Sequence, residues 1–236
     1  MANSNNEELY KAVMYKEHDR VLRHCKEIPE GPFRVLTIHD DTVLHMALYS
    51  LQVKLVTSLL DLLKEFPQDQ LEQKMLLQNN TGNTILHEAA ICDEFVPAAK
   101  EMLHKTPELL IKTNKFADTA LFRAVRYGQV KMFQFLDKEV NKSKFIRAAD
   151  RKSFYHSKRS NILHTAIITE QFGMALLIAK KYPRLVNERD EEGLTALQHL
   201  ARNPAAFNEG SGWQKRYILS GVSTEDNTSV REEGKE

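Results

Sequence analysis

Three histidines lie in near-identical surroundings, His45 in VLHMA, His87 in ILHEA and His164 in ILHTA. An imidazole can serve as a metal ligand or a general base. A metal site needs three or four donors converging within about 2.0–2.3 Å of one ion. Three histidines in three copies of one phrase are spread along the chain and do not converge. His24 adjoins Cys25 in HCKE, but neighbours on a helix point about 100° apart and do not by themselves form a nucleophile–base pair. Asp40 and Asp41 precede a helical run and read as a helix-start feature, not a carboxylate dyad. Glycine-rich phosphate loops, the GxSxG elbow and the HExxH zinc motif are not found. The expectation is no catalytic residue, no metal and no cofactor.

The histidines are explained by what surrounds them. Aligned on the leucine of the phrase, the chain repeats at Leu9, Leu44, Leu86, Leu121, Leu163 and Leu197, with gaps of 35, 42, 35, 42 and 34 residues. After each phrase comes a turn and then an apolar-periodic run. In LQVKLVTSLL, Val53, Val56, Leu59 and Leu60 recur at the steps of an amphipathic helix. Before the phrases lie polar stretches such as NNTGN (79–83), NKFAD (114–118) and ERDEEG (188–193), which read as hairpin-like fingers turning at Gly82 and Gly193.

A period near 33 residues with a T-x-L-H-x-A phrase resembles the ankyrin repeat. The fold expected is therefore an all-α solenoid of five to six helix-turn-helix repeats over residues 1–219, followed by a disordered acidic tail at 220–236. The resemblance implies that the threonine starts the first helix of each repeat and that the histidine ties neighbouring loops together. Thr42, Thr84, Thr119 and Thr195 stand where an N-capping oxygen is wanted, and His45, His87 and His164 are structural. Tyr10, Phe122 and Gln198 replace the histidine in the remaining copies. The first and last of these fit end caps, and Phe122 implies an interior joint held by apolar packing.

The two longer gaps come from extra residues at 65–78 and 141–158, so that Leu9 to Leu86 and Leu86 to Leu163 each span 77 residues. That alternation, with the phrases at 106–128 and 181–207 and the GSGWQKRYIL that follows, resembles the plant ankyrin–transmembrane (PGG-domain) proteins. Such proteins pair N-terminal ankyrin repeats with C-terminal membrane helices and act in defence and stress signalling. Here the chain instead runs into GVSTEDNTSVREEGKE, polar and acidic. Its longest apolar run, MALLIA at 174–179, is far short of the roughly 20 residues a spanning helix needs. With no basic, apolar leader and with Cys25 and Cys92 in no ligand spacing, a cytoplasmic chain with buried thiols is expected. Association with the cytosolic side of the plasma membrane is implied by the resemblance alone.

A 236-residue chain with 42% hydrophobic and 28% charged residues has enough apolar material for a core, and a net charge of +1 does not point to nucleic acid. Solenoids bind protein partners along an extended surface. The finger positions Asn80, Asn83, Lys115, Phe116, Lys158, Arg159, Glu191 and Glu192 are therefore the candidate contacts, with Phe116 the aromatic anchor. A second candidate is the basic run 138–159, which includes Lys142, Lys144, Arg147, Arg151 and Lys152. It either meets an acidic partner or anionic headgroups, or is solvated and pairs with the acidic ERDEEG finger of the next repeat. Nucleic-acid binding through this run predicts affinity that falls steeply with salt.

Overall fold

A computed structural model describes residues 2–144, 146–147, 150–203 and 206. The end of the expected repeat region (207–219), the expected tail (220–236) and the Lys152 side chain lie outside the described residues. Within them the chain is built of helix pairs, with only isolated antiparallel bridges (Val35 with Thr42, His156 with Asn161, Arg189 with Thr195) closing the fingers.

Six repeats follow in order. The pairs are α1 (Ala2–Met14) with α2 (His18–Glu27), α3 (Val43–Tyr49) with α4 (Val53–Leu62), and, after α5 (Gln68–Met75), α6 (Ile85–Ala89) with α7 (Val96–Lys105). Next come α8 (Ala120–Arg126) with α9 (Val130–Lys142), α10 (Ile162–Ile168) with α11 (Phe172–Lys181), and α12 (Ala196–Ala201). The two long gaps thus differ in content. The first insert carries a helix, α5, which burial of Leu71 and Met75 docks onto the core. The second carries the 3-10 segment Asp150–Tyr155, docked by Phe154 and Tyr155.

The inner helices α3, α6, α8, α10 and α12 are five to seven residues long, too short to persist alone in water. Two things hold them. The anchors Leu44, Leu86, Leu121 and Leu163 are almost wholly buried, each contributing about 2–3 kcal/mol of apolar transfer. Reciprocal caps on α3, α6, α10 and α12 satisfy orphan N–H groups of the first turn. In repeat 2, for example, the His45 N–H donates to the Thr42 hydroxyl (3.3 Å) and the Thr42 N–H donates to His45 Nδ1 (3.4 Å). The outer helices bury one stripe each, Met132, Phe133, Leu136 and Val140 in α9, spaced as an amphipathic helix requires. Leu197, the last of the aligned leucines, is 67% exposed.

The fingers share one turn device. Thr37, Asn79, Asn114 and Asp190 each accept, through a side-chain oxygen, the N–H groups two and four residues on, the Asx-turn pattern and its threonine equivalent. The tip residue is left-handed in each: Asp40, Gly82, Ala117 and Gly193. The finger of repeat 5 (157–160) is one residue shorter. Ser157 Oγ accepts from the Arg159 and Ser160 N–H groups, and none of its residues has positive φ.

Candidate functional site

The histidines are committed to architecture, and their tautomer follows from their partners. The Thr42 N–H donates to His45 Nδ1 (3.4 Å), so Nε2 carries the hydrogen and donates to the Asn83 carbonyl of the next finger (3.1 Å). His87 repeats this with Thr84 and the Asp118 carbonyl (3.0 Å). Burial outweighs these bonds and pulls both rings down to a pKa of about 4, so they stay neutral. His164 caps α10 through Asn161 (3.3 Å) and stacks edge-on against His199, but its Nε2 makes no hydrogen bond among the described residues. Burial lowers its pKa as well. Among the described residues no three histidine, cysteine, aspartate or glutamate side chains are placed to hold a metal. Burial pushes the Cys25 thiol up to about 12, far from a nucleophile's range.

Two expectations about caps need correction. Thr119 does not cap its helix: with Phe122 at the third helical position there is no ring nitrogen to reciprocate, and the buried Thr119 Oγ1 has no hydrogen-bond partner among the described residues. Gln198 does more than mark an end cap. Its Oε1 accepts the Thr195 N–H at 2.9 Å, keeping the local half of the histidine's role.

Three fingers and three inner helices enclose a groove of about 700 Å³. Its rim carries Lys115 and Phe116 from finger 4, Lys158 and Arg159 from finger 5, and Glu191 and Glu192 from finger 6. Its floor includes Arg123 and Arg126 of α8, Thr165 and Ile168 of α10, and His199 of α12. Phe116 is 70% exposed and Ile168 55%. Arg126 is paired with buried Asp118 (2.7 Å), and Arg123 with buried Glu88 (3.0 Å). Arg159 reaches Glu191 at 3.4 Å, whereas Lys115 and Lys158 are exposed and have no ion-pair partner among the described residues.

Residues 44–146 match the family model of ankyrin repeats, in 3 copies. That segment carries ankyrin repeats. A solved structure described as the crystal structure of EF0377, an ankyrin repeat protein, is similar with a TM-score of 0.60 and 16% identity, covering 82% of this chain and 90% of that one. No curated protein matches. The fold is an all-α ankyrin solenoid, and ankyrin repeats are generally modules of protein–protein interaction.

The ankyrin stack places the expected contacts unevenly. Six of the eight (Lys115, Phe116, Lys158, Arg159, Glu191 and Glu192) line the one groove. Asn80 is exposed on finger 3, outside it. Asn83 corrects the expectation outright: it is 5% exposed, donating to Glu88 Oε1 (2.7 Å) and accepting from Asn114 Nδ2 (2.9 Å). The basic run divides. Lys158 and Arg159 reach the groove, while Lys142, Lys144 and Arg147 are exposed away from its lining. Arg151 is half-buried and donates to the Ser143 carbonyl (3.0 Å) beside the outer helices. Arg159 with Glu191, and His156 with Glu188 (2.6 Å), are internal pairs of insert and acidic finger. Arg123, Arg126 and Ile168 were not anticipated from sequence. Their signal is positional, two and five residues after each anchor leucine, on the helix face turned to the fingers. Among the described residues no helix is long and apolar enough to cross a membrane.

Proposed function

We propose that this chain is a non-catalytic interaction scaffold or adaptor that holds a protein partner against the groove of repeats 4–6. The observation that carries the reading is the convergence there of three fingers, an exposed aromatic and two lysines with no ion-pair partner among the described residues, the composition of an interface anchor with a polar rim. The fold's general use supports the same reading. Resemblance of the phrases at 106–128 and 181–207 to the plant ankyrin–transmembrane proteins extends it to defence or stress signalling in the cytoplasm. The same resemblance supports a second reading, the cytosolic sensor part of a membrane-associated regulator, which a longer transcript encoding apolar spans would favour.

The test is affinity capture from a plant-cell lysate with the wild-type chain and a folded variant carrying Lys115→Ala, Phe116→Ala and Arg159→Glu. A protein retained by the wild type and lost with the variant is the expected result. Equal capture by both would move the interaction off this groove.

A further inference from the structure

The groove lies over a joint whose fingers are not hydrogen-bonded to each other. Fingers elsewhere are stitched backbone to backbone: the Asn80 N–H donates to the His39 carbonyl (2.7 Å), Lys115 N–H to Thr81 (3.0 Å) and Glu191 N–H to Arg159 (2.9 Å). The corresponding pair between fingers 4 and 5 is the Lys158 N–H and the Phe116 carbonyl, which do not bond to each other or to another described group. The histidine bridge is missing at the same joint, because its slot holds Phe122. Finger 5, one residue shorter than the others, leaves this stitch unmade.

The joint thus presents a free backbone donor and a free backbone acceptor on opposite sides of a groove, the two ends that one peptide unit satisfies. The side chains around them sort by charge. Lys115 and Lys158, which have no ion-pair partner among the described residues, flank the unstitched joint; Phe116 and Ile168 supply apolar surface next to it. Beyond them Asp190, Glu191 and Glu192 form an acidic wall on finger 6. A long polyanion such as a nucleic acid would meet that wall, whereas a short acidic stretch stops before it. We infer that the gap between fingers 4 and 5 takes an extended segment of a partner protein, its backbone bridging the Phe116 carbonyl and the Lys158 N–H. One or two of its carboxylates lie between Lys115 and Lys158, with an apolar side chain on Phe116 and Ile168. The inference rests on the interaction reading above and names the site and the chemistry of the occupant.

The experiment selects displayed random dodecapeptides on the full chain, then measures fluorescence anisotropy of the enriched sequences made as labelled synthetic peptides. Three folded variants, checked by circular dichroism, accompany the wild type: Lys115→Glu with Lys158→Glu, Phe116→Ala, and the distant Tyr49→Ala on exposed α3 surface. The expected result is acidic peptides with an apolar residue, weakened tenfold or more by the charge reversal and several-fold by Phe116→Ala, and unchanged by Tyr49→Ala. Enriched peptides that are basic or uncharged would overturn the proposed chemistry. Peptides sensitive to Tyr49→Ala and not to the groove variants would overturn the location and leave the interaction reading standing. A DNA oligonucleotide that competes for the groove at equal concentration would replace the peptide with nucleic acid. Failure to enrich any peptide would count against both readings.

Discussion

The joint between repeats 3 and 4 and the joint between repeats 4 and 5 are made from the same parts and closed in opposite ways. At the first, His87 bridges to the Asp118 carbonyl, Lys115 stitches finger to finger, and Asn114 bonds Asn83. Arg123 grips Glu88 and the His87 carbonyl, and Gln129 Oε1 accepts the Asp93 N–H at 2.9 Å. At the second, Phe122 replaces the histidine, the finger stitch is not made, and among the described residues the Gln171 side chain hydrogen-bonds only to the Thr169 carbonyl (3.1 Å). Polar contact there moves to the outer helices, where buried Asp137 of α9 accepts from Lys181 and from the hydroxyls of Tyr155 and Tyr182. The difference teaches that a solenoid can keep its apolar stacking while releasing its hydrogen-bonded side, and that the released side becomes a groove.

Acid should break the closed joints most. His45 and His87 have folded pKa values of about 4 against an ordinary 6.5. Between those values the unfolded chain binds protons that the buried rings refuse, so stability falls as pH drops from about 6.5 to 4. The loss approaches about 3 kcal/mol per ring. Urea melts at pH 7 and 4.5 measure it, and a His45→Phe, His87→Phe variant should show a flatter slope; an unchanged slope would remove the histidines from the account. At constant neutral pH, His87→Phe makes the closed joint resemble the open one, at a cost of about 3 kcal/mol for a lost cap and bridge. Asp137→Asn attacks the open joint's own staple and should cost about 2 kcal/mol, read as a lower urea midpoint.

A subtler contrast uses one substitution at two equivalent positions. Thr84→Val removes a working cap and should destabilise by about 1 kcal/mol. Thr119→Val removes a buried hydroxyl that has no partner, and should stabilise by up to about 1 kcal/mol. Equal signs in thermal melts would mean that Phe122 does not set the difference. Phe116→Ala, at an exposed tip, should change stability by less than about 0.5 kcal/mol while weakening partner binding.

Much of this was legible in the sequence, because the repeat phrase encodes its own local mechanics. The anchors Leu44, Leu86, Leu121 and Leu163, the structural role of the histidines and the apolar joint at Phe122 all follow from types at fixed spacing. Finger residues were harder. Asn80 and Asn83 sit in one polar phrase, yet one faces water and the other is buried, since Asn83 is claimed by Glu88 and Asn114 across a distance no local pattern reports. Helix α5 is hard to read from sequence because QDQLEQKM is mostly polar and is docked by Leu71 and Met75 against the stack. The groove was half visible: its rim could be named, but the gap depends on finger 5 being one residue short and on a stitch that fails to form.

The unstitched joint also bears on how the array comes apart. In a solenoid each unit is stabilised only by its neighbours, so the weakest coupling between units decides where cooperativity divides. Repeats 2–4 are joined by histidine and finger bonds into one block, while repeats 5 and 6 are joined to it by apolar packing and the Asp137 staple. The C-terminal pair is therefore placed to open as a separate cooperative unit, exchanging its amide hydrogens at a lower free energy than the block behind it. A ligand seated across the joint would bind the closed array in preference to the opened one, and so fuse two units of unfolding into one.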